Sequence, residues 1–234
     1  MTILKEAQLA IASWEEVRTN NRAILNYLNQ GSYFIIPKLN YQIWHENVGN
    51  LADASLHAYM GLSMLSNATN PSLSLYCVDS VTDSLPVVGN EDRYGLSLKK
   101  CVYSDGQGDG ITGYNIDAID TVTIEALKSI FRWNLGKSSW VDAAIGMSRM
   151  VQVFHIPFKD LKKLFDNNPS VNEVLVVFAL KDMGGGISNI DLILWGYDQP
   201  AQLIAQDPED IIKPCPPFGG EESAYQLLNS LFSL

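Results

Sequence analysis

Apolar side chains recur every three or four residues over the first thirty positions of the chain, as they do along one face of a helix. The stripe runs from Ile3 to Leu28, and Gly31 follows it as a suitable C-terminal cap. This spacing predicts one long helix of about 40 Å. An isolated helix is marginal in water, so we expect it to be buried on a sheet or on another chain. Trp14, near the middle of the stripe, is expected to be largely buried.

Two segments alternate apolar and polar side chains, the pattern of a strand with one buried face. They cover residues 56–62 and 73–78, and the polar sequence between them, residues 66–72, predicts a hairpin. A third strand is predicted over residues 95–103 and extends the hairpin into an antiparallel meander. The glycine-rich sequence 105–110 then predicts a flexible loop.

The second half of the chain mixes helical and extended patterns. The predicted elements after residue 120 are a helix ending at Gly136, a helix over 138–147, a strand over 151–156, a short helix over 158–165, two very apolar strands over 173–180 and 190–195, and a final helix over 221–231. The inward face of the first helix is expected to carry Ile124, Leu127, Ile130 and Phe131. The two apolar strands are expected to form a central pair, buried on both faces.

These elements predict an α+β fold, in which an antiparallel sheet built from hairpins is covered by the long N-terminal helix and several shorter helices. We expect one compact domain over residues 1–234. Residues 198–220, with five prolines and two glycines, are expected to be irregular chain before the C-terminal helix. A helix followed by three strands occurs in both halves, but we identify no residue-level repeat, so this order does not establish a duplication.

The net negative charge argues against two classes of partner. The chain has 16 basic and 26 acidic residues, a formal net charge of −10, and neither half carries the positive field that phosphate binding requires. We therefore expect neither nucleic acid nor membrane as a partner. Residues 54–78 contain no Asp, Glu, Lys or Arg, but the polar cluster within them is incompatible with a membrane-spanning helix.

The number and spacing of the cysteines indicate the cellular compartment. Cys77, Cys101 and Cys215 are odd in number and form no CxxC motif, and no secretory signal is recognisable at the N-terminus. A cytoplasmic location with three reduced thiols is therefore expected. Cys77 alternates with leucines on a predicted core face and should be the least reactive of the three.

Two glycine-rich motifs match known ligand loops only in part. Residues 108–113 fit GxGxxG, but no helix begins directly after them, as dinucleotide binding requires. Residues 105–116 partly resemble a calcium-binding loop, but Ile116 stands where a bidentate Glu is needed. We therefore expect no cofactor and no metal.

Candidate chemistry is confined to histidines and one acidic group. His57 and His155 lie in predicted strands and could meet across a sheet, whereas His45 lies in predicted irregular chain. None of the three has metal-ligand spacing. The acidic group is expected to lie in a solvated turn, where it cannot perform acid–base chemistry, and consists of Asp79, Asp83, Glu91 and Asp92.

No catalytic motif emerges, so the sequence favours a non-enzymatic binding or assembly protein. Its expected partner is another protein or a second copy of the chain. The alternative is a hydrolase or a metal-dependent enzyme whose site is assembled only in the fold. In that case His57, His155 and the acidic group are the candidate residues.

Overall fold

The computed structural model describes residues 1–63, 71–105, 121–184, 188–198, 202–205, 213–215 and 225–233. In chain order the elements are α1 Ile3–Val17, α2 Asn21–Leu28, β1 Phe34–Pro37, α3 Lys38–Val48, β2 Ser55–Ser63, β3 Ser72–Asp79, α4 Ser80–Asp83, α5 Glu91–Ser97, β4 Lys99–Val102, α6 Thr121–Gly146, β5 Val153–Pro157, α7 Phe158–Phe165, β6 Glu173–Asp182, β7 Ser188–Asp198, β8 Gln202–Ala205, β9 Lys213–Cys215, α8 Gln226–Asn229 and a 3-10 turn Ser230–Ser233. Neighbouring strands in these ranges pair antiparallel, so the predicted α+β class is confirmed.

The described strands form two sheets rather than the single predicted meander. A five-stranded sheet has the order β4-β3-β2-β5-β9, and a four-stranded sheet has the order β1-β6-β7-β8. The predicted hairpins are both present, but β2–β3 lies in one sheet and β6–β7 in the other. Both faces of each hairpin are largely buried, so each sheet is covered on both sides.

The sheets pack face to face, with helices outside them. Alternate residues of β2 and β6, such as Leu56 and Val174, belong to the core between the sheets, where Phe154 meets Phe178 at 6.1 Å between ring centroids. The other face of the five-stranded sheet packs against α1, and that of the four-stranded sheet packs against α6. The order of layers is therefore helix, sheet, sheet, helix.

The two halves of the chain repeat one topology. The order β4-β3-β2-β5 in one sheet corresponds to β8-β7-β6-β1 in the other. The first strand of each half pairs with the hairpin of the opposite half in the same register: Pro37 lies opposite Glu173, and Pro157 lies opposite Ser55. The halves are thus related by a pseudo-twofold axis and exchange a strand.

Once the strands are matched, a residue-level repeat becomes visible. Phe-Ile-Ile-Pro at 34–37 corresponds to Phe-His-Ile-Pro at 154–157, and each proline occupies the N-cap position of the helix that follows. The inward positions of α1 and α6 share one spacing: Ala7, Ile11 and Trp14 in α1, and Ala126, Ile130 and Trp133 in α6. Only a few positions match between the halves, so the sequence alone does not reveal the repeat.

The single long N-terminal helix is a wrong prediction. The apolar stripe is correct, but α1 ends at Val17 and α2 begins at Asn21. The side chain of Asn20 accepts a hydrogen bond from the backbone N–H of Ala23 at 3.1 Å and so starts a new helix. Trp14 is fully buried, as predicted, and its indole N–H donates to the carbonyl of Val151 at 2.9 Å.

Other predicted elements also differ from the structure. The predicted strand 95–103 begins as helix α5 and becomes strand only at Lys99, and His45 lies in helix α3 rather than in irregular chain. The two helices predicted after residue 120 are one helix, α6, which continues through Gly136. The segment 198–220, predicted to be irregular, contains the short strands β8 and β9.

Several expectations fall partly or wholly on residues outside the described ranges. These are the glycine-rich loop with its two motifs, most of the segment 198–220, and the start of the predicted C-terminal helix, of which the structure shows α8. Cys77 and Cys101 are buried and not in a disulfide. Within the described ranges, no helix combines the length and apolar character that crossing a membrane requires.

Candidate functional site

The two candidate histidines lie side by side on the outer face of the five-stranded sheet. His57 of β2 is directly opposite His155 of β5, and their ring centroids are 5.5 Å apart. His57 is only 3% exposed, and the ring of Tyr225, just before α8, lies 4.7 Å from its own ring. The fold therefore brings these histidines together, beneath the C-terminal segment, residues 225–233.

The same place holds Asp83, which is fully buried. Its Oδ2 accepts hydrogen bonds from His57 Nδ1 at 2.6 Å and from the hydroxyl of Tyr59. Its Oδ1 accepts from the hydroxyl of Tyr94 at 3.2 Å and from the backbone N–H of Leu227 at 3.0 Å. We call these five residues the Asp83 cluster. Burial, and then the Asp83 charge, raise the pKa values of Tyr59 and Tyr94, so both phenols stay protonated and donate.

A second acid, Asp79, is also fully buried. It caps α4 through the backbone N–H of Thr82 at 2.8 Å, and its Oδ2 accepts from Asn47 at 2.9 Å and Ser97 at 2.5 Å. The prediction of a solvated acidic turn is therefore wrong for Asp79 and Asp83. Glu91 and Asp92 are exposed, as predicted, but they lie in the first turn of helix α5 and not in a loop.

An Asp–His pair is the arrangement that many hydrolases use to orient a general base. Here both oxygens of Asp83 are occupied by donors, and Tyr225 covers the ring of His57. No group of three or more His, Cys, Asp or Glu residues able to hold a metal ion occurs within the described residues. The Asp83 cluster thus joins β2, α4, α5 and the C-terminal segment by hydrogen bonds. Its geometry is that of a structural, stabilising network.

A pocket lies on the opposite side of the molecule, between α6 and the outer face of the four-stranded sheet. Its volume is about 360 Å³, within the usual range for ligand sites. Most of the described residues that line it are aromatic or aliphatic, and they include Tyr33, Leu127, Trp133, Leu175, Val177 and Trp195. We call this space the α6 pocket.

The α6 pocket contains one ammonium group. Lys137 lines it, and burial lowers the pKa of this lysine. Within the described residues the structure gives Lys137 no ion pair. Asp105, the other charged residue of the lining, already has a partner in the chain. An anionic group entering the pocket would therefore find a cation at its wall.

Apolar surface continues from the pocket along the exterior of α6. Four large side chains at helical spacing form the α6 stripe, and their exposed fractions are 43% for Ile124, 42% for Leu127, 64% for Phe131 and 73% for Leu135. Leu127 belongs to both surfaces. Contiguous exposed apolar surface of this kind marks interaction sites on soluble domains.

The orientation predicted for α6 was largely wrong. Ile130 does pack on the sheet, but Ile124, Leu127 and Phe131 are exposed, and the buried residues around them are Ala126 and Trp133. The sequence does contain a signal that reveals this, because α6 carries apolar residues on two faces. A helix needs only one apolar face to cover a sheet, so the second face indicates a further contact.

Comparison with protein-family models, with curated proteins and with solved structures found no match for this chain.

Proposed function

We propose that the protein is a non-enzymatic binding protein and that its binding site is the α6 pocket together with the α6 stripe. The observation that carries the proposal is the continuity of the two surfaces through Leu127. A pocket with aromatic walls and one cation supplies shape and specificity, and the stripe adds apolar area beside it.

The hydrolase or metal-dependent alternative depends on His57, His155 and Asp83. The geometry supports it less well, because the acceptor oxygens of Asp83 are used to hold the chain together. His57 is also covered by Tyr225 and lies outside the α6 pocket. The binding proposal uses an open pocket, an exposed apolar stripe and Lys137, which has no ion pair within the described residues, whereas the enzymatic one needs groups that are already engaged.

A hydrophobic anionic dye tests the site directly. We expect 8-anilinonaphthalene-1-sulfonate to bind the native protein at one saturable site, seen as enhanced fluorescence. Leu127→Glu should weaken this binding about tenfold or more, because it places a carboxylate in an apolar wall and repels the sulfonate. The matched control is Leu9→Glu on α1, where the leucine is 48% exposed, against 42% for Leu127.

The control variant should bind the dye as the unchanged protein does, and circular dichroism should show both variants folded. Equal dye binding by the Leu127→Glu and Leu9→Glu variants would remove the α6 pocket as the binding site and with it the proposed function.

A further inference from the structure

The pseudo-twofold axis relates the α6 pocket to a space that is already filled. In the five-stranded half, the C-terminal segment lies against α1 and β2. Tyr225 contacts His57 and Tyr59 with ring centroids 4.7 and 6.3 Å away, and Leu227 is fully buried. Gln8 of α1 donates to the hydroxyl of Ser230 at 3.0 Å. A short helical turn of polypeptide thus occupies this space.

The registers identify the corresponding positions. The pair His57–His155 corresponds to Leu175–Ile35, because each pair lies one residue before the Ile-Pro sequence on its outer strand. Two positions further along β2 and β6, Tyr59 corresponds to Val177.

The same correspondence extends to the next strand and to the helices. Val78 lies opposite His57 as Trp195 lies opposite Leu175. On the helices, the shared spacing matches Gln8 of α1 with Leu127 of α6.

The positions that contact the C-terminal segment in one half therefore line the α6 pocket in the other. Leu175, Val177 and Leu127, the counterparts of His57, Tyr59 and Gln8, all belong to the pocket wall. The polar residues that hold the chain's own segment are replaced by apolar ones. The site therefore keeps its place on the sheet and helix but differs in chemistry.

We propose that the α6 pocket and stripe bind an amphipathic helix of a partner protein, which places an aromatic or leucine side chain in the pocket and a carboxylate beside Lys137. This inference rests on the proposed function and names the class of ligand. The stripe from Ile124 to Leu135 spans about 16 Å of helix, the length of three turns and more than a small ligand requires. The carboxylate follows from charge complementarity with the ammonium of Lys137, which has no ion pair among the described residues.

The chain itself provides the probe. A synthetic peptide with the sequence of residues 221–232, Glu-Glu-Ser-Ala-Tyr-Gln-Leu-Leu-Asn-Ser-Leu-Phe, combines two carboxylates with the turn that fills the other half. We expect the fluorescently labelled peptide to bind the full-length protein, measured by anisotropy, and Leu127→Glu to abolish the binding. Lys137→Gln should weaken it about fivefold, as loss of a partly exposed ion pair does.

A double-mutant cycle isolates the ion pair. A peptide with both glutamates replaced by glutamine should bind the unchanged protein about fivefold more weakly and lose nothing further with Lys137→Gln. The matched control is Lys5→Gln, at an exposed lysine of α1, which should leave peptide binding unchanged.

Three outcomes would overturn the inference. Dye binding that depends on Leu127 without any peptide binding would leave the proposed function in place and reject a helical ligand. Peptide binding that Leu127→Glu does not change would place the peptide at the α1 side. Self-association of the protein that Leu127→Glu abolishes, seen by sedimentation, would assign the stripe to a second copy of the chain.

Discussion

At the scale of single residues, Asp83 holds distant parts of the chain in one place. Its two oxygens accept hydrogen bonds from β2, from α5 and from the C-terminal segment. A buried carboxylate is tolerated only when donors compensate for its lost hydration. The donors here come from three segments far apart in sequence, so the acid serves to fix their relative positions.

Asp83→Asn should therefore be strongly destabilising. The amide keeps the size of the carboxyl group but turns an NH₂ toward donors that need an acceptor, which costs about 3 kcal/mol in a buried network. Urea unfolding of the variant measures this loss of free energy of unfolding.

The control for this change is Asp92→Asn, at an exposed acid in α5. It should stay within about 0.5 kcal/mol of the unchanged protein. Equal stability of the two variants would show that the donors around Asp83 find other acceptors and that the cluster does not stabilise the fold.

At the scale of elements, the sequence predicts those whose pattern is long and regular. The strands predicted from the alternation in β2 and β3 and from the apolar runs in β6 and β7 are all present, but β2 and β3 are buried on both faces and not on one. Helix α5 escaped prediction because only Tyr94 and Ser97 are buried in its seven residues, too few to show a helical period.

The candidate site was predictable only in part, for a related reason. The meeting of His57 and His155 follows from their strands, but the burial of Asp83 depends on Leu227, 144 residues further along the chain. No local pattern contains such a contact. The α6 pocket depends likewise on which of the two sheets α6 packs against. The order of elements along the chain does not predict this packing.

Close approach of α1 to β2 gives a second prediction. A Cβ atom on Gly61 would lie 2.8 Å from the ring of Tyr76 and 3.1 Å from Cβ of Ala10, so helix and sheet leave no room for it. Gly61→Ala should therefore cost about 1–3 kcal/mol in thermal or urea unfolding, as overpacking does.

Gly95→Ala is the matched control, because nothing lies within 4 Å of the added carbon in α5. That change should be neutral or stabilise by up to about 1 kcal/mol, since alanine favours a helix more than glycine does. Destabilisation of equal size at both glycines would mean that the helix–sheet contact does not explain the loss.

At the scale of the whole molecule, each half completes the sheet of the other. Strand β1 joins the hairpin β6–β7, and β5 joins the hairpin β2–β3. Neither half forms its complete sheet alone, so the two are expected to unfold together. Within this shared frame the halves differ at the outer faces, where one is closed by the C-terminal segment and the other has the α6 pocket.

Removal of residues 221–234 should leave both halves with an open space beside the outer helix. Without Tyr225 and Leu227, the outer face of the five-stranded sheet loses the part of its cover that lies beside α1, and the free energy of unfolding should fall by about 3 kcal/mol or more. The shortened chain should also gain a dye site beside α1, so the stoichiometry of 8-anilinonaphthalene-1-sulfonate rises from one to two.

Two additions to that experiment assign the sites. Leu127→Glu in the shortened chain should remove the original site and leave the new one, because the two lie on opposite sides of the molecule. The peptide of residues 221–232, added in trans, should displace dye from the new site and raise the melting temperature as its concentration increases. A shortened chain that still binds one dye molecule, with unchanged stability, would contradict the equivalence of the two spaces, since the space vacated beside α1 must bind the dye if it corresponds to the α6 pocket.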